Sequence, residues 1–82
     1  MYKVKIQILL KDDVLDPQGK TVQRALEHLE YKDISNVRIG KYIEFVSGEQ
    51  DEKVLKQSVD EMCKKILTNT VIEKFSFTLE KI

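Results

Sequence analysis

The sequence predicts an α+β fold, a two-layer sandwich with two helices packed on one face of a mainly antiparallel sheet. Three observations predict it. Apolar and polar residues alternate in three segments, at about 2–11, 37–46 and 71–81. Two intervening segments, at about 17–30 and 50–68, carry apolar residues at helical spacing. Turn and cap residues separate the segments: Asp16-Pro17, Ser47-Gly48 and Asn69. The predicted order is β-α-β-(β)-α-β, the bracket marking a middle strand open to a split at Gly40.

The first strand places Tyr2, Val4, Ile6, Ile8 and Leu10 on one face and Lys3, Lys5, Gln7 and Lys11 on the other. Such a strand has one buried and one wet face, so the helices must cover the first. The first helix starts with Asp16 as N-cap and Pro17 at the first helical position, where a missing N–H costs nothing. Val22, Ala25, Leu26 and Leu29 form its apolar stripe. Gly19 weakens the first turn, which suggests that another backbone passes close by. In the middle strand Val37, Ile39, Ile43 and Phe45 share a face, and a long strand bent at Gly40 is the favoured form. In the second helix Val54, Leu55, Val59, Met62, Cys63, Ile66 and Leu67 recur at helical spacing. Its outer face has three i,i+4 pairs, Glu52–Lys56, Asp60–Lys64 and Glu61–Lys65. Asn69 is the expected C-cap residue. The last strand alternates Phe75, Phe77 and Leu79 with Lys74, Ser76, Thr78 and Glu80. Two helices on one side of such a sheet are related to the ferredoxin-like plan.

The chain has 82 residues, room for one domain over 1–82. Domains this small bury a modest fraction of their surface and often rely on disulfides, metal or association. Cys63 is the single cysteine and His28 the single histidine, so an internal disulfide is excluded and a zinc site lacks ligands. Association remains. Lys plus Arg and Asp plus Glu are both 14, with the signs interspersed, which argues against nucleic acid as a partner. Lys3, Lys5 and Gln7 interrupt any signal-like apolar start, and no run is long enough to span a membrane; a cytoplasmic protein is expected.

The candidates for chemistry are few. Catalysis through His28 would need a nucleophile and an acid brought to it, and no Gly-x-Ser-x-Gly elbow occurs. Asp12-Asp13 and Asp51-Glu52 flank elements as solvated or capping residues, and Met62 and Cys63 follow the core spacing. Asp16, Pro17, Gln18, Gly19 and Lys20 put backbone N–H groups, a glycine and a lysine at a helix start. That arrangement suits a capped helix, a protein contact or an anion. Lys41 falls in phase with Ile39 and Ile43, where an unpaired buried charge would be costly. Either a bend at Gly40 turns it outward or a carboxylate across an interface meets it. Arg38 and Tyr42 are residue types enriched at interface hot spots. No catalytic, cofactor-binding or metal-binding residue is assigned. The contact candidates are Asp16, Pro17, Gln18, Gly19, Lys20, Arg38, Gly40, Lys41 and Tyr42.

Two segments at fixed separation carry a family resemblance. Asp16-Pro17-Gln18-Gly19-Lys20 with Val22-Gln23 and Ala25-Leu26, followed by Val37-Arg38-Ile39-Gly40-Lys41-Tyr42-Ile43-Glu44, resembles the PurS family, the small subunit of phosphoribosylformylglycinamidine synthase. Tyr2-Lys3-Val4-Lys5, Met62-Cys63-Lys64-Lys65-Ile66-Leu67 and Asn69-Thr70-Val71-Ile72-Glu73 agree, so the likeness spans the chain. Glu30-Tyr31 departs from the family's frequent Gly-Tyr at a helix ending. The resemblance implies a non-catalytic subunit of a glutamine-dependent ligase in the fourth step of de novo purine synthesis. In that reaction a PurQ-type glutaminase releases ammonia. A PurL-type synthetase, using ATP and magnesium, passes it to formylglycinamide ribonucleotide. The small subunit docks the two as a homodimer or higher oligomer formed largely by joining sheets, and binds no cofactor itself. The alternatives are a stand-alone ferredoxin-like regulatory domain that binds a small molecule, and a small enzyme in its own right.

Overall fold

A computed structural model describes all residues, Met1–Ile82. Strand β1 (Tyr2–Leu10) lies at the centre of a three-stranded sheet of order β2-β1-β3, antiparallel to both β2 (Gly40–Ser47) and β3 (Glu73–Lys81). Its central place follows from its inward face, the most β-branched in the chain. Val4, Ile6 and Ile8 are almost fully buried and gain apolar neighbours on both sides. Val4 stands opposite Phe45 and Leu79, and Ile6 opposite Ile43 and Phe77.

Helix α1 (Pro17–His28) follows β1, and helix α2 (Glu52–Met62) follows β2 and continues as a π-helical turn, Cys63–Leu67. Leu55, Val59 and Cys63 from this second helical segment close over Val4, Ile6 and Ile8 to make the core. Asp51 caps α2 by accepting from the Lys53 N–H at 2.9 Å. The three expected i,i+4 pairs are all present, with Asp60–Lys64 the shortest at 2.9 Å. In the π turn both the N–H and the hydroxyl of Thr68 donate to the Cys63 carbonyl, at 3.0 and 2.7 Å. Asn69 does not cap the helix as expected. Its side chain accepts from the Val71 N–H at 3.1 Å and its carbonyl from the Glu73 N–H at 2.7 Å, which turns the chain into β3. The two-layer α+β plan is therefore the one the sequence predicts.

The middle strand is unsplit, and it is shorter than the expected 37–46. It begins at Gly40, where its pairing with β1 ends at Leu9, although β1 itself runs one residue further to pair with β3. The Ile39 N–H is instead taken by the Asp16 carboxylate at 2.8 Å. Asn36 has φ 56°, so the chain turns sharply just before this lead-in.

Helix α1 ends in a Schellman arrangement. The Tyr31 N–H donates to the Leu26 carbonyl at 3.0 Å and the Glu30 N–H to the Glu27 carbonyl at 2.9 Å. Glu30 sits at φ 70°, the left-handed region where glycine is at ease, and its side chain is exposed. Glu30→Gly should therefore raise stability by about 0.5–1 kcal/mol, relief of backbone strain outweighing glycine's extra unfolded-state entropy. Urea unfolding would read this as a higher midpoint with an unchanged slope.

The molecule is elongated, 49 × 28 × 14 Å, with a radius of gyration of 16.1 Å. A compact chain of this length would have about 12 Å. Only 8 of its 82 residues are buried. Helix α1 adds little to the core. Its one buried residue is Gly19, while Val22 is 37 % and Leu29 68 % exposed.

Candidate functional site

The two segments singled out in the sequence meet where β1 ends and α1 and β2 begin. Asp16 is the hinge pin. One carboxylate oxygen accepts from the Gly19 N–H at 2.9 Å, capping α1, and the other accepts from the Ile39 N–H at 2.8 Å. The residue is only 4 % exposed. These two N–H donors, Ile39 first and then Gly19, hold its carboxyl below the usual carboxylate range, so it is ionised at neutral pH. Gly19 allows the contact. A Cβ there would run into the Val37 carbonyl oxygen. The close approach expected from a glycine in the first helical turn is therefore real, and its partner is the lead-in to β2.

Arg38 pins the third strand of chain in this junction. Its Nη2 donates to the carbonyls of Lys11 and Val14 at 2.8 and 2.9 Å, with a longer contact to Leu10 at 3.4 Å. Its Nε is buried without a partner. The guanidinium is thus turned inward, where it satisfies carbonyls that β1 leaves behind as it ends. Gly40 also stands in close approach, since a Cβ there would meet the Ile8 carbonyl across the sheet.

Lys41 keeps its phase and stays on the helix-bearing face, 57 % exposed at the side chain. The bend that was to turn it outward is absent, and the carboxylate that meets it belongs to the same chain. Glu73 of β3 lies 3.4 Å from Nζ, across the end of β1. Glu73 is held in turn, its other oxygen accepting from the Asn69 N–H at 2.8 Å. The sequence held a signal for this pair: Glu73 is in phase with Phe75 and Phe77, as Lys41 is with Ile43. Val37, whose carbonyl fixes the glycine, left no side-chain signal.

Eight of the nine contact candidates therefore gather at one junction. A groove of about 320 Å³ runs along it, lined by Pro17, Gln18, Ile39, Gly40 and Lys41 among others. Tyr42 is the exception and points to the opposite, open face of the sheet. There its hydroxyl donates to Glu44 at 2.7 Å, which raises its own pKa and lowers that of Glu44. Lys3 completes that cluster, 3.0 Å from Glu44, and Lys5 pairs with Glu80 at 2.8 Å. His28 lies exposed at the end of α1, and Cys63 is buried in the core with its thiol pushed up by desolvation. No group of three His, Cys, Asp or Glu side chains is placed to hold a metal ion, and no helix is long and apolar enough to cross a membrane.

Residues 3–81 match the family model described as PurS: Phosphoribosylformylglycinamidine (FGAM) synthase. The chain belongs to the PurS family. Among its relatives, the phosphoribosylformylglycinamidine synthase subunit PurS of Bacillus subtilis is 48% identical over 82 residues, covering 100% of this chain and 96% of that protein. The crystal structure of Methanocaldococcus jannaschii PurS superposes with a TM-score of 0.88 at 43% identity, covering 100% of this chain and 99% of that one. The B. subtilis PurS structure gives 0.80 at 48% identity, with 99% and 100% covered. The PurS likeness thus runs from end to end, through the Asp16–Gly19–Val37 junction as well as the sheet.

Proposed function

We propose that this chain is the non-catalytic small subunit of phosphoribosylformylglycinamidine synthase, docking a glutaminase subunit onto a synthetase subunit. The observation that carries this reading is the end-to-end likeness to M. jannaschii PurS, described as one of the subunits of formylglycinamide ribonucleotide amidotransferase in the purine biosynthetic pathway. The reaction consumes formylglycinamide ribonucleotide, glutamine, ATP and water. It yields formylglycinamidine ribonucleotide, glutamate, ADP and phosphate. ATP and magnesium belong to the synthetase partner. Ammonia passed between two active sites is lost to water unless they are docked and shielded, which a subunit without chemistry of its own can ensure. The Asp16–Lys20 and Arg38–Lys41 junction is the contact surface in this reading. Asp16, Gly19, Arg38 and Gly40 give it shape from within, and Pro17, Gln18, Lys20 and Lys41 face the partner. Tyr42 serves a contact on the other sheet face.

The active form in this reading is a homodimer or higher oligomer in the cytoplasm. Two features support association. β2 and β3 each leave an outer edge unpaired, and such edges readily pair with another strand. The stripe Val22, Leu26 and Leu29 on α1 is left partly open, and a second copy would cover it.

Glutamine-dependent conversion of formylglycinamide ribonucleotide should be measured with purified synthetase and glutaminase, with and without this chain. Turnover is expected only with all three, and the chain alone should be inert. Equal turnover without it would refute the adaptor role and direct attention to ligand binding by the isolated domain.

A further inference from the structure

Helix α1 has the pattern of a helix that faces a core, and its own chain gives it none. Val22, Ala25, Leu26 and Leu29 fall within an arc of about 100° that holds no charged residue. Yet no α1 side chain joins the core, and Leu29 is 68 % exposed. The sheet has the matching vacancy. Three strands make a face about 14 Å across, wider than the single helix of about 10 Å that closes the core over it. The centre of that face is fully covered at Val4 and Ile6, but Ile43 and Phe45 of β2 are only partly buried. In a ferredoxin-like plan the helix after β1 covers the strand it leads into, which here is β2. Helix α1 is kept from that place in its own chain. Its first turn is fixed at the end of the sheet, with Gly19 against the Val37 carbonyl and Asp16 bonded to the Ile39 N–H. Swinging the helix back over β2 would break both contacts.

We infer that two copies of this chain exchange the helix: α1 of each lays Val22, Leu26 and Leu29 on Ile43 and Phe45 of the other, beside its α2. This exchange rests on the homodimer reading. Both surfaces belong to this chain, and both are apolar and unfilled, so one two-fold axis satisfies them together and leaves no open end. A dimer that packs stripe against stripe would cover α1 but leave Ile43 and Phe45 open. The exchange gives each sheet its second helix without moving the first turn of α1, so the junction of Asp16, Gly19 and Val37 keeps its contacts. It also removes from water the largest exposed apolar stretch of α1, which an isolated copy would carry as an aggregation hazard.

Sedimentation equilibrium of the full chain should be compared with that of L26D/L29D and, as a control at an equally exposed apolar residue of the π turn, I66D. The double variant is expected to raise the dimer dissociation constant about a hundredfold or more, and I66D to leave it unchanged. The L26D/L29D monomer should keep its sheet and a cooperative melt, because the core holds no α1 side chain, with a midpoint lowered by the lost association. Isotope-filtered NMR on a mixed wild-type dimer, one copy labelled, should show the Val22, Leu26 and Leu29 methyls of one copy against Ile43 and Phe45 of the other. Contacts between the two α1 stripes instead, or none from α1 to the second copy, would overturn the exchange. So would equal dissociation by I66D, which would mean that exposed apolar surface alone drives association. A dimer that survives L26D/L29D sinks the exchange and leaves the homodimer reading standing. A wild-type chain that stays monomeric at every concentration tested sinks both.

Discussion

Gly19→Ala is expected to destabilise the protein by about 1–3 kcal/mol, although helix propensity alone predicts a gain of about 1 kcal/mol. The sign is decided by one contact. The new methyl group would run into the Val37 carbonyl oxygen, a backbone atom, and would stand 3.0 Å from the Asp16 carboxylate. Neither neighbour can yield freely. The Ile39 N–H that follows Val37 is bound to Asp16, and Asp16 is bound to the first turn of α1. Relief therefore requires α1 and the lead-in to β2 to separate, which would also open the junction assigned to partner contact. With a urea slope of about 1 kcal/mol per molar for a domain this small, the midpoint should fall by roughly 1–3 M. Glutamine-dependent turnover in the reconstituted complex should fall with it. A midpoint that rises would mean that residues 37–39 do not lie against α1.

Ile6→Ala should cost about 2–5 kcal/mol. Ile6 is fully buried at the centre of β1, between Ile43 and Phe77 and beneath the second helical segment. A domain of this length has a total stability of only about 4–12 kcal/mol. Losing this side chain therefore removes a large fraction of the whole, and the variant should populate unfolded chain at 37 °C. The next residue along gives the internal contrast. Lys5 lies on the open face, its partner Glu80 is more than half exposed, and Lys5→Ala should shift the midpoint little. A loss below about 1 kcal/mol for Ile6→Ala would place the core elsewhere than between β1 and α2. Both variants should be compared at several protein concentrations, because an associating protein gains stability by mass action.

Much of the architecture was legible in the chain. The period-two pattern of residues 2–11 and 71–81 marked two strands, and helical spacing marked α1 and α2. These signals are local: the backbone fixes which side chains share a face, so the pattern of apolar residues reports it directly. The Asp16 cap was legible for the same reason, since it follows from the needs of one helical turn, and Gly19 in that turn signalled a close approach without revealing that Val37 makes it.

The rest depended on which distant groups meet, and only the tertiary structure decided that. Alternation at 37–39 matched a strand, but pairing with β1 stops at Gly40 and the Ile39 N–H finds Asp16 instead of a neighbouring strand. A pattern of side chains does not reveal whether a backbone partner exists. Arg38 has the composition of an interface anchor, yet its guanidinium serves the carbonyls of Lys11 and Val14. Lys41 looked like a charge in want of an interface, and Glu73 of the same sheet supplies the carboxylate. Sequence by itself thus determined the elements, their inward faces and the family. Tertiary structure decided where β2 starts, which of the special residues shape the junction from within, and that the apolar stripe of α1 is left largely uncovered, because hydrogen-bond and packing partners are chosen across long stretches of chain.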